Sequence, residues 1–112
     1  MKWNVWLVIS GICCLAVAPL QADPGPEELF EQGNAAYKNK QFRQAIQYYD
    51  SLLNAGYQSP VLFYNLGNAC YKSGLIAKAI LYYERARKLT GHWESLQYNL
   101  SLARERIADS IN

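Results

Sequence analysis

Asn34, Asn65, Asn68 and Asn99, interleaved with Tyr37, Tyr64, Tyr71 and Tyr98, are the residues of this sequence whose types and spacing invite chemistry. That chemistry is noncovalent. An asparagine amide both donates and accepts hydrogen bonds, so a row of them can hold an extended peptide backbone. Tyrosine adds broad contact area with a polar tip at low entropic cost. Phe30, Asn34, Tyr37 and Lys38 follow one another by helical steps, as do Tyr64, Asn65, Asn68, Tyr71 and Lys72, and then Tyr98, Asn99 and Leu102. Each set therefore forms one stripe on one helix. A competing reading leaves Asn34 and Asn68 capping local turns or facing water.

Covalent chemistry finds little footing. The single histidine, His92, sits in a turn beside Trp93 with no cysteine or carboxylate pair around it. Ser-His-acid and metal-ligand spacings are missing from the sequence, as is a glycine-rich phosphate loop. The sequence thus predicts no catalytic residue, no metal and no cofactor. Its formal charge is +2, with Lys and Arg scattered among Asp and Glu. Nucleic-acid binding wants a clustered basic stripe, so that class of partner is set aside.

The elements that position the stripes come as a repeat. Gly33-Asn34-Ala35 returns as Gly67-Asn68-Ala69, Ala45-Ile46 as Ala79-Ile80, and Tyr48-Tyr49 as Tyr82-Tyr83, each at an interval of 34 residues. Pro26 and Pro60 keep the same interval, and Tyr64-Asn65-Leu66 returns as Tyr98-Asn99-Leu100. The fold class that follows is all-α: two helical hairpins, repeats 26–59 and 60–93, and a capping helix over 94–110. In detail, helices are predicted from Pro26 to about Asn39, Phe42 to Asn54, Pro60 to Lys72, Leu75 to about Leu89, and Glu94 to about Asp109. Pro26 and Pro60 suit the first turn of a helix, and Ser59 suits its cap. Gly56 and Gly74 mark the bends. In the last helix Leu96, Leu100, Ala103 and Ile107 share a face that can cover the second hairpin, with Arg104, Glu105 and Arg106 turned to water.

Ahead of the repeats, residues 1–22 read as a signal peptide. Lys2 gives a positive start, and Val5 to Ala18 is an apolar run of about 14 residues, short of the roughly 20 that a membrane helix needs. The expected mature chain, 23–112, is exported to the periplasm or cell envelope. Membrane association is expected only if this segment stays uncleaved as an anchor. Export leaves one mature cysteine, Cys70, at a position whose counterpart is Ala36. It is read as a small core hydrophobe in preference to a redox thiol.

With Phe63, Leu66-Gly67, Cys70, Ala79, Tyr83 and Ala86 at the repeat's spacing, the chain resembles the tetratricopeptide repeat family, and the 34-residue period is that family's. The resemblance implies a short solenoid in which Gly33 and Gly67 let paired helices touch, Ala45 and Ala79 lie opposite, and Tyr49 and Tyr83 fill the gap between hairpins. It departs from the family's pattern at Gln32, and at Tyr57 and Gly91 where a closing proline is usual. The family's concave groove, lined by the first helix of each hairpin, would be formed here by the three stripes above. The groove that clamps a partner's carboxy terminus needs basic residues where this chain has Phe30, Ser95 and Asn99, so that specificity is not expected. The phrase from Tyr64 to Gly74, followed by Lys78 to Ala86, also resembles exported repeat proteins of the bacterial aerotolerance operon type. In those, membrane segments and an SH3-like module follow, beyond this sequence. The function implied is an exported module that binds a partner peptide or protein segment in its groove. The alternative is a self-associating structural scaffold, a homo-oligomer without a specific groove ligand.

Overall fold

In a computed structural model of the protein, residues 17–19 and 22–111 are described. Most of the expected signal peptide, residues 1–16, 20 and 21, lies outside them. The described chain is five helices: α1 (Pro26–Lys38), α2 (Phe42–Asn54), α3 (Pro60–Lys72), α4 (Ile76–Thr90) and α5 (Glu94–Ile111). No strand occurs among the described residues. The all-α helical-hairpin solenoid expected from the repeat is the architecture observed.

Local chemistry sets the helix ends. Pro26 and Pro60 occupy first turns, and the Ser59 hydroxyl accepts the Leu62 N–H at 3.0 Å. Glu27 and Glu28 sit in the first turn of α1, and Lys38 and Lys72 in the last turns of α1 and α3, each with the sign that the helix dipole favours. The hairpin bends are built alike. Leu75 N–H reaches back to Cys70 C=O at 2.8 Å, and Gln41 N–H to Ala36 C=O at 2.8 Å. Both bends need a left-handed residue, which is Gly74 (φ 81°) in the second and Lys40 (φ 61°) in the first. Because Gly74 turns the chain this way, Leu75 has a non-helical ψ of 67° and caps α4. It does not begin the helix, as the sequence suggested. Asn39 likewise follows α1, while α5 continues to Ile111.

Burial explains why α3 is the central element. Leu62, Leu66 and Ala69 on one side of it join Ala36, Ala45, Tyr49 and Leu52 of the first hairpin. Phe63 and Cys70 on the other side join Ala79, Tyr83 and Ala86 of α4 and Leu96, Leu100 and Ala103 of α5. The two cores merge across half-buried Ile46, Leu53 and Tyr82. Helix α5 buries the face that the sequence assigned to it, with Ile107 half-buried at the end. Its charged face is more engaged than expected. Glu84 accepts from both Arg104 and Arg87, and the Arg106 guanidinium lies 5.1 Å from the centre of the Tyr71 ring.

Candidate functional site

Gly33 and Gly67 open the geometry of the concave side. A Cβ on Gly33 would stand 2.5 Å from Cε1 of Tyr49, and one on Gly67 would strike the same atom of Tyr83. The bare glycine lets the tyrosine ring of the second helix lie flat against the first, inside its own hairpin. Tyr49 and Tyr83 were assigned from sequence to the gap between hairpins, and they do reach the shared cores. What admits each ring, however, is the bare glycine inside its own hairpin.

Having crossed the glycine, each ring delivers its hydroxyl to the next residue. Tyr49 Oη donates to Asn34 Oδ1 at 2.6 Å, and Tyr83 Oη donates to Asn68 Oδ1 at 2.6 Å. The same oxygens take a second donor from the following groove helix. Asn65 Nδ2 lies 3.2 Å from Asn34 Oδ1, and Asn99 Nδ2 lies 3.0 Å from Asn68 Oδ1. The result is a Tyr–Asn–Asn unit repeated at 34-residue intervals, which ties three helices together at each step. Leu102, at the next asparagine position, carries no carbonyl to extend it.

This corrects the sequence-based picture of asparagines held ready for a ligand backbone. Asn34 and Asn68 neither cap turns nor leave their carbonyl oxygens free, since both oxygens are doubly occupied from within. Asn99 Nδ2 also lies 3.0 Å from Tyr64 Oη. What these amides turn outward is the second side of Asn65 and Asn99 and the Nδ2 groups of Asn34 and Asn68.

Two adjoining depressions run over this network. One, of about 260 Å³, is lined by Asn34, Tyr37, Tyr49, Asn65 and Asn68. The other, of about 160 Å³, is lined by Tyr37, Asn68, Tyr71, Lys72, Tyr83, Asn99 and Leu102. Seven of the sequence-derived candidates and Leu102 thus share one continuous groove. Tyr49 and Tyr83 complete its floor and were not among those candidates. The signal for them was the Gly-Asn pair, whose asparagine needs a donor on the ring that its glycine admits.

Four candidates do not line these two depressions. Phe30 packs 6.1 Å from the Tyr49 ring and lines a separate depression with Pro26, Leu52, Tyr57 and Leu62. Tyr64 stands 4.4 Å from Trp93, ring to ring, where it joins α3 to the start of α5. Lys38 is exposed at the end of α1, and Tyr98 is 63% exposed on α5.

Burial shapes the electrostatics. It pushes the Tyr49 hydroxyl up to about 12, against a smaller opposing effect of Asn65, and raises Tyr83 further. Both remain donors throughout the neutral range. Burial pushes the fully enclosed Cys70 thiol up to about 11, which suits a core residue and not a nucleophile. His92 Nδ1 lies 3.2 Å from Gln97 Nε2 across the turn before α5. Among the described residues no three His, Cys, Asp or Glu side chains are grouped to hold a metal, and no helix is long and apolar enough to cross a membrane.

Comparison with known proteins adds the family. The tetratricopeptide repeat pattern matches residues 30–92, from the middle of α1 to the turn before α5. No curated protein matches the chain. Tetratricopeptide domains generally mediate protein–protein interaction and typically serve as non-enzymatic scaffolds. With two Gly-Tyr contacts, two Tyr–Asn–Asn units and a matched pattern over more than half its length, this chain belongs to the tetratricopeptide repeat family.

Proposed function

We propose that the protein is an exported interaction module that takes an extended segment of a partner protein into the groove between Asn34 and Leu102. The observation that carries this reading is the groove's pairing of rigidity with outward polar groups. Its floor is hydrogen-bonded from within, so little side-chain freedom is lost when a partner binds. Amide N–H groups, tyrosine rings and Lys72 still face the opening. The pattern suits a peptide main chain better than a small apolar ligand, whose pockets are mostly hydrophobic.

Residues 1–22 serve in this proposal as a cleaved signal peptide, so the mature chain begins at Asp23 and works in the periplasm or cell envelope. In that setting the chain would stand beside exported repeat proteins of the aerotolerance operon type, which its phrase from Tyr64 to Gly74 resembles. Intact-mass measurement on protein from its native host tests the first step, and a full-length membrane-bound species would overturn cleavage. The groove is tested with a photo-crosslinking side chain at Tyr71 or, on the exposed side of α4, at Leu81. Partner adducts are expected at Tyr71 alone, and adducts confined to Leu81 would overturn the groove assignment.

One observation favours self-association as a second reading. At the amino-terminal end of the stack, Tyr57 is 48% exposed beside a depression of about 290 Å³ lined by Phe30, Leu52 and Leu62. Sedimentation across a concentration series separates the readings, because a scaffold requires an oligomer at modest concentration.

A further inference from the structure

The repeat places Lys38, Lys72 and Arg106 at equivalent positions, each 34 residues from the next. All three are exposed, and the repeat sets Lys38 and Arg106 at the places on α1 and α5 that Lys72 holds on α3. Lys72 lines the smaller depression, and Arg106 is laid across Tyr71, with Nη1 3.4 Å from the Tyr71 carbonyl oxygen. Among the described residues none of the three pairs with a carboxylate, since both ion pairs there converge on Glu84. We infer that this basic row selects acidic partner segments, those carrying a carboxylate at every third residue in an extended, polyproline-like conformation. The inference rests on the groove reading above and gives its partner a chemical class.

Spacing supplies the rule of three. Consecutive groove helices touch through the side-chain pairs Asn34–Asn65 and Asn68–Asn99, which puts their axes toward the wide end of helix-packing distances, about 10 Å. A polyproline helix repeats a side-chain direction every three residues, at roughly 9.3 Å. One carboxylate per turn therefore meets one cation per helix. A β-strand covers a similar distance in three residues but points alternate side chains to opposite faces.

Other charges modify this row without cancelling it. Lys38 and Lys72 close helices whose dipoles place about half a negative charge at that end, less than the full charge on each ammonium. Glu31 stands where the next helix has Asn65, almost two turns from Lys38. Glu105 neighbours Arg106 on the third helix, so Lys38 and Lys72 form the less compensated part of the row.

The test presents the full-length protein to an array of synthetic peptides built from Glu-Pro-Pro triplets, with matched Gln-Pro-Pro and Lys-Pro-Pro series and a series with glutamate at every second residue. Retention of the Glu-Pro-Pro series is expected to exceed the Gln series by about tenfold at low ionic strength and to fall as salt shortens the screening length. Lys38→Gln with Lys72→Gln should remove that preference and leave the circular dichroism spectrum unchanged. Arg85→Gln, a control for net charge on α4, should preserve it. Equal retention of the Glu and Gln series, or a preference that survives the double substitution, overturns the basic row. If peptides bind regardless of charge and are lost in Tyr71→Ala, the row falls while the groove reading stands. If no series is retained, the basic row falls, and crosslinking at Tyr71 against Leu81 decides the groove.

Discussion

Gly67→Ala should destabilise the domain by about 1–3 kcal/mol, although alanine is the better helix former by about 1 kcal/mol at an exposed position. The opposite sign comes from the Tyr83 ring. Its Cζ would lie 3.0 Å from the new Cβ, and two other ring atoms would be closer still. The ring cannot simply swing aside. Tyr83 is 1% exposed, packed in the core shared by α3, α4 and α5, and its hydroxyl is held 2.6 Å from Asn68 Oδ1. Displacing it strains the packing and loosens that hydrogen bond, which is worth about 1 kcal/mol. For a domain of this size, each kcal/mol lowers the melting temperature by roughly 4–8 °C. Urea denaturation of wild type, Gly67→Ala, Tyr83→Leu and the double variant measures the coupling. With the aromatic ring gone, the same Gly67→Ala change should be neutral or stabilising by up to about 1 kcal/mol. An equal loss in both backgrounds would show that the glycine is not there for the ring, and the Gly-Tyr contact would fail as the organising feature of the hairpin.

Four further outcomes follow from particular residues. Lys40→Gly should raise the urea midpoint, since it relieves a left-handed lysine at φ 61° that costs about 1 kcal/mol, partly offset by added freedom in the unfolded chain. Gly74→Ala, at φ 81° with open space around it, should lower the midpoint by about 1 kcal/mol through backbone strain alone. Stability should be flat from neutral pH to about 9, then fall as pH rises toward about 12, because the unfolded chain ionises first the Cys70 thiol and then the tyrosines that the fold keeps protonated. Tyr49→Phe, followed by chemical denaturation along the same pH series, should shallow that fall, and an unchanged slope would contradict burial as its cause. Cys70 should react with a thiol reagent only as fast as the domain opens, and rapid labelling of the folded protein would refute its enclosure.

Much of the fold was legible because the repeat states it twice. An interval shared by Gly33 and Gly67, Ala45 and Ala79, and Tyr49 and Tyr83 admits few arrangements besides stacked hairpins, and the caps at Ser59 and Pro60 locate an end almost to the residue. The first bend was harder to read. Lys40 occupies the place that Gly74 holds in the second copy, and no side-chain preference announces a left-handed lysine. The site was legible in its positions and not in its bonding. Helical periodicity brings Asn34, Asn65, Asn68 and Asn99 to one side, but it cannot say whether an amide meets water, a ligand or a neighbour. That depends on the approach of the second helix, which sends a tyrosine hydroxyl over each glycine.

The internal bonding changes what the groove can ask of a partner. If the asparagine oxygens were free, the groove would accept hydrogen bonds as readily as it gives them. With Asn34 Oδ1 and Asn68 Oδ1 each holding two donors, the acceptors left on this row are the Asn65 and Asn99 amide oxygens, matched by the Asn34 and Asn68 amide nitrogens, and the cations Lys72 and Lys38 tip the balance toward donors. Such a surface favours carbonyl oxygens and carboxylates. The same bonds also make the groove asparagines poor probes of binding. Removing the Asn68 side chain strands the hydroxyl of a buried tyrosine, at a cost of about 1–3 kcal/mol in the free protein before any ligand arrives. A loss of binding in Asn68→Ala would therefore mix recognition with folding. The exposed lysines hold no hydrogen bond of the fold and give up only a helix-dipole contribution of about 0.3–1 kcal/mol each, so substitutions at Lys38 and Lys72 report mainly on the groove's chemistry.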